Sequence, residues 1–398
     1  MSRSLSIALF VTILLGIVAS AHYYVWVRLV RDVEWPKSIS RLLTWLLVLL
    51  YLGVPATFWL SRTLPPDRGR GLLLVTYAWL GLTLGLPVML ACADALRGAI
   101  LGIRGLSGAE PLSAERRLVI KRLASGAVAL WAAGTTVVAY GEAMGSLSVR
   151  EVRIRLRRLP RQLHGFVIAQ LSDMHVGPTL RREFVEKVVE MTNSMHADLV
   201  AITGDLVDGS VEHLSSIVQP LSLLRARCGT YFVTGNHEYY SGVEQWLVEI
   251  RRLGIRVLRN ERVPVGNGSA SFDLVGIDDA SAVHFGHGHG PDLPRALAGR
   301  DGSREAVLLA HQPRAAFEAE RLGIGLQLSG HTHGGQVWPF GWLVRLQQPF
   351  IRGLHRLGKL VVYVSCGTGY WGPPLRLRTP AEITRVVLLC ENEPDTVV

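Results

Sequence analysis

Four apolar segments fill the first 145 residues of this chain, at Leu5–Val27, Leu42–Leu60, Gly71–Ala93 and Leu123–Tyr140. A helix needs about 20 mostly apolar residues to cross the bilayer core, and each segment approaches that length. A single cleavable leader does not account for four of them. Pro55 and Pro87 fall inside two segments, and membrane helices tolerate such kinks. Composition alone is ambiguous: 49% hydrophobic and 19% charged residues, with a mean hydropathy of +0.27. The apolar excess is confined to the first part, and the remainder alternates like a water-soluble domain. The sequence thus divides into a four-helix transmembrane region over 1–145 and a soluble domain over 146–398.

Basic residues in short connectors set membrane orientation. The first connector carries Arg28, Arg31, Lys37 and Arg41, and the third carries Arg97, Arg104, Arg116, Arg117, Lys121 and Arg122. The second has only Arg62, Arg68 and Arg70. The two richer connectors share a side, expected to be cytoplasmic. The chain then reads as a multi-pass protein of the cytoplasmic membrane with its soluble domain extracytoplasmic. Glu115 to Lys121 resembles a twin-arginine export signal without the usual Phe; charge anchoring of a helix end explains the same residues. Both readings send the next domain outward.

The net charge of +10 sits largely at these helix ends, so no nucleic-acid partner is expected. Cys92, Cys228, Cys366 and Cys390 form no C-x-x-C pair, which supports neither a disulfide framework nor a zinc knuckle. After the last apolar segment, Val152, Ile154 and Leu156 alternate with Arg153, Arg155 and Arg157. Period two predicts a strand with one basic face. That face is either a solvated sheet edge protected by arginine or a contact with anionic headgroups.

Apolar runs predict strands at 166–171, 199–203, 231–234, 272–277, 307–310, 325–328, 360–364 and 383–389. Helical patterns lie near 180–194, 212–226, 242–253 and 314–321. This alternation predicts a layered α/β domain. Polar residues follow the runs in a fixed order: Asp173 and His175, Gly204 and Asp205, Asn236–His237–Glu238, His311, then His331 and His333. Residues just past strand ends line the sites of α/β folds. Taken singly, each group reads as a cap or a turn. Taken together they offer the mixed oxygen and nitrogen donors that suit Mn²⁺, Fe or Zn²⁺ rather than Ca²⁺.

This order of D-x-H, G-D, G-N-H-E, H and G-H-x-H resembles the calcineurin-like metallophosphoesterase superfamily, over roughly 165–390 and with every metal-binding position filled. Gly204 to Gly209, Gly330 to Gln336 and Gly372 to Arg376 are similar to bacterial membrane-associated phosphodiesterases acting on lipid or envelope phosphoesters. The resemblance implies a four-layer αββα sandwich of two mixed sheets flanked by helices. It implies two divalent metal ions, one held by Asp173, His175 and His333, the other by Asn236, His311 and His331, with Asp205 bridging. Such a pair activates a water and clamps phosphoryl oxygens. His237 is then the catalytic group that stabilises developing charge or protonates the leaving oxygen, with Glu238 orienting it. Arg376 is implied, ahead of Arg378, as the group that binds the substrate phosphate, with a surface ion pair as the alternative.

The expected function is a membrane-anchored, two-metal phosphoesterase acting on a phosphodiester or related ester, with a lipid or envelope component as the substrate class and no obligate protein partner. The competing reading is a membrane sensor or transporter whose soluble domain binds metal without catalysis. Against it, the apolar segments carry few ionisable residues for a translocation path. Three further features remain. His284, His287 and His289 mimic G-H-x-H, but no strand delivers them, so they predict a surface loop or lid. Asp278 and Asp279 read as turn formers or as support for the site. Trp338, Phe340, Trp342, Leu343 and Phe350 read as core, or alternatively as an apolar lip at a bilayer boundary.

Overall fold

The computed structural model describes residues 3–63, 70–107, 113–145, 147–267, 270–391 and 393. They form two compact units, Met1–Tyr140 and Gly141–Val398. The first unit contains α1 (Arg3–Trp26), α2 (Lys37–Thr63), α3 (Arg70–Leu106) and most of α4 (Ala114–Met144). All four helices are long and apolar enough to cross a membrane. Pro55 and Pro87 lie inside α2 and α3. Arg68, which the orientation argument uses, falls outside the described residues. Leu42, Trp45, Leu49, Leu130 and Val137 are exposed on these helices. Apolar surface on a helix's outer face calls for lipid rather than water. Inside, Val25, Leu86, Leu90 and Ala132 form a small core. Polar groups there are paired: Asp94 accepts from Tyr24 at 2.5 Å and meets Arg28 at 2.7 Å. Pairing makes ionisable groups tolerable among apolar helices.

Among the described residues the second unit holds twelve strands: β1 (Ser148–Leu156), β2 (Phe166–Leu171), β3 (Leu199–Ile202), β4 (Thr230–Phe232), β5 (Arg256–Val257), β6 (Glu261–Asn267), β7 (Ala270–Gly276), β8 (Ala306–Leu309), β9 (Leu326–Ser329), β10 (Gly353–Leu357), β11 (Leu360–Val364) and β12 (Glu382–Cys390). They form two six-stranded sheets, β1-β12-β2-β3-β4-β5 and β10-β11-β9-β8-β7-β6. Both are mixed: β2, β3, β4 and β5 run parallel while β12 opposes β2, and β10 opposes β11.

Successive side chains in a strand point to opposite faces. In β2, Ile168 turns to the space between the sheets, into one core with Leu199, Phe272, Leu326 and Tyr363. Its neighbour Ala169 turns outward, into the core shared with α5 (Arg182–Ser194), α6 (Val211–Val218) and α8 (Val243–Arg252). α7 (Asn236–Ser241) precedes α8. On the far face of the second sheet, Leu308 and Val362 pack with α9 (Leu293–Leu297) and α10 (Ala316–Arg321). The layers are therefore α/β/β/α. The short α11 (Gly341–Val344) lies in the long connection after β9.

The helix expected to 226 stops at Val218 and continues only as a 3-10 turn over Gln219–Leu223. Pro220 explains this, since it lacks an N–H and disfavours helix in the residue before it. β1 is an edge strand, paired in parallel with β12. Ile154 and Leu156 are buried, while Arg153 is exposed and meets Glu151 at 2.9 Å.

Candidate metal centre

The strand ends of both sheets deliver the polar residues to one place. Asp173 and His175 follow β2, Asp205 follows β3, Asn236 follows β4, His311 follows β8, and His331 and His333 follow β9. The backbone turns sharply there. Asp173, His175, Asp205, His331 and His333 all have φ between 45° and 69°, a region that costs non-glycine residues roughly 1–3 kcal/mol each and clusters at functional sites. Glycine makes the close approach feasible: a Cβ on Gly330 would overlap Ser172 Oγ and Asp173 Oδ2, and one on Gly235 would overlap Asp205.

Among the described residues, two groups of donors face each other, each with ligand atoms within 4.8 Å of one another: Asp173, His175 and His333, and Asp205, His311 and His331; a third such group, His175, Asp208 and His237, shares His175 with the first. His175 Nε2 lies 3.0 Å from His333 Nε2, and His333 Nε2 lies 3.4 Å from Asp173 Oδ1. His311 Nε2 lies 3.2 Å from His331 Nδ1 and 3.1 Å from Asp205 Oδ2. The same Asp205 oxygen is 3.8 Å from His175 Nε2, so this carboxylate stands between the groups. Asn236 Oδ1 is buried without a hydrogen-bond partner. A buried acceptor left unpaired is costly, and a cation would satisfy it. These residues fit two divalent ions.

Neighbours fix which ring nitrogen faces inward. His311 Nδ1 donates to the Thr203 carbonyl at 2.8 Å, leaving Nε2 free as a ligand. His175 Nδ1 lies 3.0 Å from Asp208 Oδ1, which directs its Nε2 to the centre in the same way. That Asp208 oxygen also lies 2.5 Å from His237 Nδ1. One carboxylate thus orients a ligand and the expected catalytic imidazole. Sequence reasoning assigned this task to Glu238, and the structure corrects it. Glu238 accepts from the backbone N–H groups of Asp205, Leu206 and Gly235, at 3.1, 2.7 and 2.7 Å, and so holds two ligand loops together. The signal for Asp208 was its place three residues after Asp205.

The electrostatics follow from burial and crowding. Burial, then the neighbouring charge of His311, pushes His331 down to about 3. Burial and His175 hold His333 well below its usual range. Both imidazoles are therefore neutral, the form that binds metal. Burial opposes ionisation of Asp205, but His311 and His237 outweigh it and hold the carboxylate well below its usual range. Burial raises Asp173, aided by the charge of Asp205. Burial would lower His237, but Asp205 and Asp208 push it up to about 9. Bound cations would compete with that proton for the same carboxylates, so this value describes the metal-free protein.

Arg376 does not fit its expected role. It is fully buried and donates to the carbonyls of Thr379 and Cys366 at 2.8 Å, of Gly367 at 3.2 Å, and of Gly369. Burial brings it down to about 10. Its guanidinium ties together the backbone behind Asp173 and His333, and Arg376 is not among the residues lining the cavity beside the donors. A different arginine lies at the opening. A cavity of about 490 Å³ is lined by Asn236, His331, Tyr240, Ser281, Gln312 and Arg314, with Leu346 among its other walls. Arg314 is exposed, three residues past His311, and sequence reasoning passed over it.

The remaining expectations divide. Among the described residues, His284, His287 and His289 join no group able to hold a metal. His289 meets Arg259 at 3.0 Å, and Phe285 packs on Tyr239 and Tyr240. Asp278 pairs with Arg259 at 2.6 Å. Asp279 accepts from Ser281 N at 2.7 Å and from Gln312 at 3.0 Å. Core packing is wrong for Trp338, Trp342 and Leu343, which are 58%, 65% and 60% exposed.

A layered fold with histidine, aspartate and asparagine donors gathered at its strand ends defines a metallophosphoesterase. The calcineurin-like phosphoesterase family model matches residues 166–335, and the chain belongs to that family. It is 42% identical over 248 residues to a zebrafish transmembrane protein with metallophosphoesterase domain, covering 60% of this chain and 57% of the relative. It is 41% identical over 256 residues to an uncharacterized metallophosphoesterase of Helicobacter pylori, covering 64% and 67%. An uncharacterized metallophosphoesterase of Aquifex aeolicus is 36% identical over 245 residues, covering 61% and 92%. The matched region is thus little more than half of the zebrafish relative.

Proposed function

We propose that this protein is a membrane-anchored, two-metal phosphodiesterase whose catalytic domain, residues 146–398, faces away from the cytoplasm and acts on a phosphodiester of a lipid or envelope component. The observation that carries the catalytic reading is the convergence of two donor groups on Asp205, with the orphaned Asn236 oxygen beside them. In this reading Asp173, His175 and His333 hold one ion, Asn236, His311 and His331 hold the other, and Asp205 is shared. When bound, the pair supplies Lewis acidity and a water activated at neutral pH.

The protein's own groups do the rest. Asp208 holds His237 in one tautomer, with Nδ1 against the carboxylate and Nε2 left to act. His237 then protonates the departing oxygen or donates to a developing negative charge. Arg314 takes the place first given to Arg376 and holds a further anionic group of the substrate. Tyr240, Ser281 and Gln312 contribute polar contacts in the same cavity. The membrane reading is supported by the four long apolar helices and by the arginines of the first and third connectors.

The test is hydrolysis of a chromogenic phosphodiester by the full chain in detergent with Mn²⁺. Turnover is expected, abolished by chelator and restored by added metal. A chain that binds two metal ions yet hydrolyses neither diester nor monoester would overturn the enzymatic reading in favour of a non-catalytic metal binder.

A further inference from the structure

We propose that the apolar rim beside the metal centre is a docking edge for an anionic phospholipid surface, so that the cavity opens onto the bilayer that supplies its substrate. This deepens the phosphodiesterase reading and rests on it for the word substrate. The docking itself stands on separate observations.

Trp338, Trp342, Leu343, Leu346 and Trp371 are all more than half exposed, Leu346 at 82%. Large apolar side chains gathered on a water-facing surface mark an interaction site. They come from two loops that are tied together. Gln336 Nε2 donates to the Trp371 carbonyl at 2.8 Å, and Trp371 N donates to Gln336 Oε1 at 3.0 Å. Trp338 N donates to the Leu377 carbonyl at 3.3 Å. The rim borders the site directly: the Trp371 ring is 6.1 Å from that of His237, and Leu346 lines the same cavity as Asn236 and His331.

Three features favour a bilayer over a protein partner. Tryptophan concentrates at the membrane–water boundary. Arg345 lies over the Trp342 ring at 5.1 Å and Arg378 over the Trp338 ring at 5.6 Å, placing cations beside the apolar tips, where lipid phosphates would meet them. Within the second unit, the last turn of the apolar helix α4 meets the same loops: Arg378 N donates to Glu142 at 2.9 Å, and Tyr370 lies 3.9 Å from Met144 Sδ.

The experiment places an environment-sensitive nitrobenzoxadiazole label in the full chain, with Cys92 and Cys228 replaced by serine. One sample carries Leu346→Cys and the other Leu223→Cys, the latter exposed in the turn after α6. Each is reconstituted at one chain per nanodisc of phosphatidylcholine with phosphatidylglycerol. The label at 346 is expected to shift to the blue and to be quenched by doxyl lipid several-fold more than the label at 223. Arg345→Glu should return it toward the 223 value. Equal quenching at the two positions overturns the proposal. A shift seen only when two chains share a disc overturns it in favour of self-association. Diester hydrolysis by unlabelled wild-type discs separates the two readings: turnover with equal quenching sinks the docking edge alone, and selective quenching without turnover sinks the phosphodiesterase alone.

Discussion

The two donor groups meet at Asp205 but differ in what surrounds them. Asp173, His175 and His333 are all buried, with Ser172, Asp208 and the loop held by Arg376 around them. Asn236 and His331 instead line the cavity. The deep group is buried in protein, whereas the open group presents Asn236 and His331 to the cavity. Preorganised donors gain most where water is excluded, so under the proposed function the deep group would set the geometry and the open group would meet the substrate.

The sharpest way to break this comparison is to remove what the two halves share. Asp205→Ala should release both metals and lower turnover on the order of 10³-fold or more, beyond the roughly 10²–10³ from losing one stabilising donor. Metal analysis of the purified variant checks the first part and diester hydrolysis the second. Retention of one tightly bound ion would show that the halves are independent sites.

His237→Ala comes next. Its ring packs edge-on against that of His175, 4.6 Å between centroids, but it holds neither ion in the proposed set, so both metals should stay while turnover falls about 10²–10⁴-fold. Asp208→Asn sharpens the point, because Asp208 contacts both His175 and His237. It should weaken metal binding about 10–100-fold, an effect His237→Ala lacks. Titrating each variant with Mn²⁺ separates the two; equal metal loss in both would remove the distinct role of His237.

The strand ends were legible because burial leaves a plain signature. The bounds of β2 and β11 match the apolar runs to the residue, since both faces of each strand are covered and Gln170 is the one strongly polar side chain in either. The ligands followed, each within five residues past such a run. β5, β6 and β10 have no such signature: β5 has two residues, and β6 and β10 are edge strands, where Pro264 and Gly266 interrupt the one and exposed Arg356 and Leu354 break the pattern of the other. α7 was hidden because Asn-His-Glu reads as a turn, and only the fold shows Glu238 bridging back to Gly235 and across to Asp205. Roles set by tertiary neighbours, such as those of Asp208 and Arg314, leave only a spacing in the sequence. Trp338 and Trp342 misled because apolar character alone does not say which side of a surface a residue occupies.

On the open side, Arg314→Ala should mainly raise KM. Losing one charged hydrogen bond of about 1.5–3 kcal/mol corresponds to a roughly 10–100-fold fall in kcat/KM, with metal content unchanged. The effect should appear only for substrates with an anionic group beyond the scissile phosphodiester. Equal losses for a chromogenic diester lacking that group would place Arg314 in the reaction itself and erase its division of labour with His237.

The smallest kinetic effect is expected on the deep side, at Arg376. Arg376→Met keeps much of the side-chain volume but removes the donors to the carbonyls of Cys366, Gly367, Gly369 and Thr379. Each buried carbonyl left unpaired costs about 1–3 kcal/mol, so the variant should unfold or be cleaved by protease at markedly lower temperature than the wild type. The folded fraction should bind diester with an unchanged KM, because no donor of Arg376 faces the cavity. A substrate-binding arginine would give the reverse, a raised KM with unaltered stability. Measuring both on one preparation of the full chain decides whether this buried cation serves the substrate or the walls of the deep half-site.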